Sequence, residues 1–229
     1  MEADKTKCDP GPFDLEEYFW DKKMTSIVVG NQSVFAIESS ITEANEELGQ
    51  RALGYFTIYL NGIQYGVRSP DATMLACSLD AVRKRISRRG THIATFGFEP
   101  NAAKIVEAYL AVGYGETHPR KKYFGMSAQD FKDAILANEI VWAPDGDEAF
   151  DDASHILQFD QGVVVRLIGC KQVCGQEGAT SIHMLTDVLV NADLFYDLLN
   201  DWQNAFEKEW RTAKKISLLS RPTKPRPES

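Results

Sequence analysis

The amino-acid sequence predicts an α+β fold: a mostly antiparallel sheet built from hairpins and packed against several helices, including a long C-terminal helix. Three stretches carry that expectation. In YFTIYL-NG-IQYGVR, residues 55–68, Asn61-Gly62 suits a two-residue type I′ turn, whose two central positions both need positive φ. The register this turn sets pairs Leu60 with Ile63, Ile58 with Tyr65 and Phe56 with Val67 on one apolar face, and turns Thr57, Gln64 and Arg68 to the other. In HILQF-DQG-VVVRL, residues 155–167, a three-residue loop with Gly162 in the left-handed position places Leu157, Phe159, Val163, Val165 and Leu167 on a shared face. From Asn191 onward, Phe195, Leu199, Trp202, Phe206 and Trp210 recur at helical spacing as one apolar stripe.

The other elements follow in chain order. Residues 1–23 read as an N-terminal extension with Pro10, Gly11 and Pro12 as breakers, ahead of a strand through SIVVG. A second strand is expected over Ser33 to Ile41. Ser69-Pro70-Asp71 has the cap, first-position proline and early acid of a helix start, and Leu75, Leu79, Val82 and Ile86 give that helix an apolar face up to Gly90. THIATFGF is a strand candidate, Ala102 to Leu110 a short helix, and Ser127 the cap of a third helix with Phe131, Ala134 and Ile135 inward. SIHMLTDVLV is a further strand with Ile182, Met184, Val188 and Val190 on one side. Residues 24–216 are thus expected to form a single domain, and 217–229, with three prolines among polar neighbours, a flexible tail.

With 44% hydrophobic residues, the 229-residue chain can bury a sizeable core. No run approaches the roughly 20 apolar residues of a membrane-spanning helix, and the first residues lack a basic-then-apolar signal layout. A cytoplasmic protein with reduced thiols at Cys8, Cys77, Cys170 and Cys174 is the expectation. Charge is the most uneven property. Residues 139–210 hold 14 acids against 3 bases, whereas 68–138 hold 11 bases against 7 acids. Segregation of this kind creates a field that steers an oppositely charged partner.

Motifs for chemistry are sparse. None of His92, His118, His155 and His183 lies in a metalloprotease pattern, and no phosphate loop, dinucleotide fingerprint or nucleophile elbow occurs. No catalytic residue, metal site or cofactor is therefore assigned. Cys170, Cys174 and His183 offer zinc-type ligands without an evident fourth. The acidic loop DGDEAFDD places Asp145 and Asp147 as a calcium loop would, but has Phe150 where the turn glycine belongs and Ile156 where a bidentate glutamate belongs.

Two basic clusters, at 83–89 and 120–122, admit either phosphate binding or the favourable placement of cations near a helix C-terminus. The flanking acidic blocks repel nucleic acid, so a nucleic-acid partner is not favoured. On the last helix, Asp193, Asp197 and Asp201 stand four apart on one exposed ridge. Like charges at that spacing cost a helix about 0.2–0.5 kcal/mol per pair. Either the ridge is an ordinary solvated face, or it serves a basic partner.

The order of motifs between Met24 and Val82 adds a resemblance. A short strand runs into Gly30-Asn31. Phe35-Ala36-Ile37-Glu38 follows, then Leu53-Gly54-Tyr55-Phe56 leading into the Asn61-Gly62 hairpin, then a helix near Ala72-Thr73 with Leu75. This order resembles the immunity protein 42 family of bacterial polymorphic-toxin immunity proteins, over roughly 24–210. The resemblance implies a non-catalytic protein that binds and neutralises a cognate toxin in the cytoplasm of the producing cell. Joined to the charge map, it makes Asp145, Asp147, Glu148, Asp151, Asp152, Asp193, Asp197 and Asp201 the expected toxin-facing residues, and a basic toxin, such as a nuclease, the expected partner. Two other classes stay open on the residues alone. One is a small hydrolase or transferase with a site assembled from scattered residues; the other is a nucleic-acid-associated protein using 83–89 and 120–122.

Overall fold

The computed structural model describes residues 26–46, 51–115, 121–144, 146–174 and 180–216. The expected extension at 1–23 and tail at 217–229 lie outside them. The first sheet has the order β1 (Ser26–Asn31), β2 (Phe35–Asn45), β3 (Ala52–Leu60), β4 (Ile63–Tyr65), all antiparallel neighbours. Its central hairpin has the register the turn dictates, Leu60 opposite Ile63 and Ile58 opposite Tyr65. Asn61 and Gly62 have φ of 49° and 81°, as a type I′ turn requires.

After β4 the chain departs from the expected helix start. Ser69-Pro70-Asp71 forms a turn in which the Ala72 amide donates to the Ser69 carbonyl at 3.2 Å. A two-residue strand β5 (Thr73–Met74) then pairs with Leu53 and Gly54 of β3. Only then does helix α1 (Leu75–Ser87) begin, so the tertiary pairing takes precedence over the cap chemistry at Ser69. Its apolar face is as expected: Leu75, Leu79 and Val82 are fully buried.

THIATFGF is a second departure. Instead of a strand it holds a single 3-10 turn at Thr95–Phe98. Gly97 backs onto the ring of Phe159, where an added Cβ would meet Cδ1 at 2.4 Å. Helices α2 (Ala102–Gly113) and α3 (Ala128–Ala137) follow, α3 capped by Ser127, whose hydroxyl accepts from the Asp130 amide.

The second sheet has the order β6 (Val141–Ala143), β7 (Ser154–Gln161), β8 (Val164–Cys174), β9 (Thr180–Asn191). Its hairpin closes on two residues rather than three. Gln161 pairs with Val164, and of the central pair Gly162-Val163 only Gly162 has positive φ, at 71°. The one-residue change moves the side chains to opposite faces. Leu157 and Phe159 stand opposite Ile168 and Arg166, while Val165 and Leu167 stand opposite Asp160 and Gln158. The expected common face is therefore two faces, and both are buried. A register shift leaves His183 unpaired between Ile182 and Met184, so Ile182 packs with one core and Val188 with the other.

Helix α4 (Ala192–Thr212), capped by the Asn191 side chain, closes the fold, and β10 (Lys215–Ile216) returns alongside β2 in parallel. The predicted stripe is inward: Phe195, Leu199, Trp202 and Phe206 are fully buried, with Trp210 packed beside them. Each such burial contributes about 1.5–3 kcal/mol. The stripe joins α1 and the inner faces of both sheets in one core. A second core lies on the opposite face of the second sheet, beneath α2, α3 and the 3-10 turn, where Phe96 sits 4.5 Å from Phe131 and 5.8 Å from Phe159 between ring centres. Tyr65 bridges the sheets by donating to Thr186 Oγ1 at 2.8 Å, its ring lying over Gly169.

Candidate partner-binding surface

Helices α1 and α4 run side by side, and their facing charges pair off. Arg89 at the end of α1 binds Asp193 in the first turn of α4, and Arg83 binds Glu207 near its end. Lys84 and Arg88 converge on Glu139, at 2.6 and 2.7 Å. Burial works against ionisation of Glu139, but these two cations outweigh it and hold its carboxyl below the usual range. The basic cluster at 83–89 is therefore occupied from within by carboxylates of the acidic block. Of the second cluster, Lys121 and Lys122 are exposed, with Lys121 over the Tyr123 ring, and Arg120 lies outside the described residues.

Arg85 goes inward instead. Its guanidinium donates to the carbonyls of Glu139 and Val141, both at 2.5 Å, and lies over the Trp142 ring. Burial lowers its pKa to about 10, which leaves it charged at neutral pH. Beside it, His92 Nδ1 lies 3.2 Å from Arg85 and 3.0 Å from the Asn138 carbonyl, while Nε2 is buried without a partner. Burial, then the Arg85 charge, push the His92 pKa below 6.5, so the ring is neutral. Asp160 completes this root of the α1–α4 seam, accepting from the Tyr196 hydroxyl at 3.0 Å and the Gly90 amide at 2.7 Å.

The sequence-predicted acids divide into two places and two states. Asp147 caps the short turn Glu148–Phe150 by accepting from the Ala149 amide. That turn docks on β4 through the Val67 amide and the Ala149 carbonyl, at 2.8 Å. Asp152 is bound by Lys171 Nζ at 2.6 Å. Glu148 and Asp151 are exposed, and Asp145 lies outside the described residues. This group neighbours the start of α1: burial raises the Cys77 thiol, and the carboxylates of Asp147, Glu148 and Asp80 raise it further. Asp193, at the other end of α1, is about 18 Å away by helix rise. On α4, Asp193, Asp197 and Asp201 are all exposed, as the spacing predicts. Asp193 is committed to Arg89; among the described residues no lysine or arginine lies within ion-pair distance of Asp197 or Asp201.

Glu38, within the Phe35-Ala36-Ile37-Glu38 stretch, is the opposite case. It is buried and accepts from the hydroxyls of Tyr55 and Tyr59, both at 2.9 Å, and from Arg68 at 2.6 Å. Burial, then Glu38 itself, raises Tyr59 to about 12, which keeps that phenol a donor. Glu38 holds the sheet rather than a ligand.

The scattered-site possibility meets specific geometry. His155 and Cys170 are cross-strand partners, which would suit a nucleophile and its base. Both are fully buried, however, and burial raises the thiol to about 12, so it stays protonated. His155 Nδ1 is engaged by the Tyr109 hydroxyl at 3.0 Å. His183 is exposed on the edge strand β9, and no cluster of three metal-type ligands occurs among the described residues.

Sequence reading missed the apolar side chains exposed around the end of the second sheet where α4 begins. Val163 at the tip of the β7–β8 hairpin, Leu189 on β9 and Leu194 in the first turn of α4 all face solvent. Leu189 and Phe98 line a shallow groove of about 340 Å³, floored by Arg166 and Asp187. A signal was present: Leu194 falls off the apolar stripe, and Val163 occupies a turn.

Comparison with curated proteins finds no match to this chain. Among solved structures, CdiI from Burkholderia dolosa AUO158 is similar at 14% identity, over 78% of this chain and 99% of that one, with a TM-score of 0.45. The family model described as Immunity protein 42 matches residues 24–205, and the chain belongs to that family.

Proposed function

We propose that this protein neutralises a cognate toxin by binding it, in the cytoplasm and without catalysing a reaction, and that acids of 145–152 and α4 face that toxin. Membership of an immunity protein family over residues 24–205 is the observation that carries the reading. The pairing pattern supports the choice of surface. Asp197, Asp201, Glu148 and Asp151 are exposed and, among the described residues, have no cation within ion-pair distance, which leaves their charge available to steer a basic toxin, such as one that attacks nucleic acid. Occupation of Arg83, Lys84, Arg88 and Arg89 by carboxylates weighs against nucleic acid as the direct ligand.

The test is to identify the gene adjacent to the one for this chain, co-express its product with it if that product is toxic, and measure association kinetics at several salt concentrations. Wild type is expected to restore growth and to associate more slowly as salt rises. A variant carrying Glu148→Gln, Asp151→Asn, Asp197→Asn and Asp201→Asn is expected to lose most of that salt dependence. Failure of wild type to bind or protect overturns the function. Protection with rates indifferent to both salt and neutralisation overturns the acidic surface alone.

A further inference from the structure

One end of the second sheet gathers exposed apolar side chains next to the open acids. Val163 is 78% exposed, Leu189 61%, Leu194 52% and Phe98 62%. Single exposed hydrophobics are ordinary, but a contiguous group marks an interaction surface. For Val163 and Leu194, contiguity follows from the backbone. The Ala192 amide donates to the Val163 carbonyl at 2.9 Å, and Val164 pairs with Asn191, so the hairpin tip abuts the start of α4. Leu189, opposite Arg166, lies with Phe98 in a groove on the other face of the second sheet from α4, so the patch beside the acids consists of Val163 and Leu194. Along α4, Leu194, Asp197 and Asp201 fall at i, i+3 and i+7, one stripe of the helix.

The platform is rigid. Arg166 spends its donors on Asp187, at 2.9 and 2.7 Å, and on the carbonyls of Gly97, Glu99 and Pro100. That clamps the segment presenting Phe98, while Asn191 Oδ1 accepts from the Leu194 amide at 3.1 Å and fixes the first turn of α4. An apolar centre with a charged rim is the anatomy of a protein–protein interface.

We infer that the toxin docks on this end of the molecule, seating an apolar side chain against Leu194 and Val163 and placing lysines or arginines over Asp197 and Asp201. The inference rests on the function proposed above. It commits to a basic occupant because the two rim carboxylates have no cation of their own within ion-pair distance among the described residues.

The experiment compares the full chain with Leu194→Arg, Leu194→Glu and Val163→Arg, each bound to the protein encoded beside it, with thermal melts as the check on folding. Leu136→Arg on α3, at a position that is 62% exposed, is the control. Each of the three is expected to weaken binding by about 30-fold or more, chiefly through faster dissociation, with unchanged melting. Leu194→Glu keeps the acidic sign, so its loss reads the apolar anchor apart from charge. Normal binding by the Leu194 variants overturns the inference and leaves the proposed function intact. Absence of binding by wild type overturns both. If instead wild type self-associates, and Leu194→Arg abolishes that while toxin binding is unchanged, the surface belongs to a second copy and the inference is overturned.

Discussion

Neighbouring carboxylates of one helix are put to different uses. Toward α1, Asp193 and Glu207 are tied to Arg89 and Arg83, above a buried root of Arg85, His92, Asp160 and Tyr196. Further along the ridge, Asp197 and Asp201 face solvent, and among the described residues no lysine or arginine lies within ion-pair distance of them. Both sets come from one run of like charge in the chain. Net charge along a sequence therefore overstates the field a partner meets, since part of it is cancelled inside the fold.

Breaking the root of the seam should have the largest effect. Arg85→Leu leaves the Glu139 and Val141 carbonyls buried without their donor, and is expected to cost about 3 kcal/mol, read as a lower midpoint in urea at unchanged slope. The open acids should instead answer in kinetics. Asp197→Lys with Asp201→Lys is expected to slow toxin association about tenfold at low salt, with the difference shrinking at high salt and with melting unchanged.

The pH response sharpens the contrast further. His92 is depressed in the folded state, so the unfolded chain binds its proton first as pH falls. Stability is expected to be fully present above pH 6.5 and to decline as pH drops from there through the lower folded value, and His92→Gln should flatten that decline in melts between pH 7 and 5. Smallest of all, Asp193→Asn removes a solvent-exposed pair and should leave melting within the scatter of repeat scans. A large loss there would mean that the seam depends on its surface pairs as well as on its root.

How much of this was readable before folding depended on whether a signal was local. Asn61-Gly62 fixes its own register, because the turn needs those two residues and the flanking strands alternate cleanly. Gly162 is compatible with either a two- or a three-residue loop. Alternation could not arbitrate, because β7 is buried on both faces and mixes polar with apolar residues on each. The 3-10 turn at Thr95–Phe98 goes with the close approach of Gly97 to Phe159, a distant residue that leaves no local trace. On the surface, the Asp193–Asp197–Asp201 ridge was legible from spacing. That Arg89 would claim one of its members was not, since the pair is 104 residues apart.

Gly169 carries a consequence for how the molecule comes apart. Its bare α-carbon admits the Tyr65 ring, with Cζ only 2.5 Å from where a Cβ would stand, and the hydroxyl beyond reaches Thr186. The first sheet thus inserts a side chain into the second, and the core between them draws residues from both. Neither sheet can open without stripping the inner face of the other. Loosening of the first sheet is therefore expected to be felt at Thr186 and Gly169 of the second, which hydrogen exchange would read as shared protection across the two sheets.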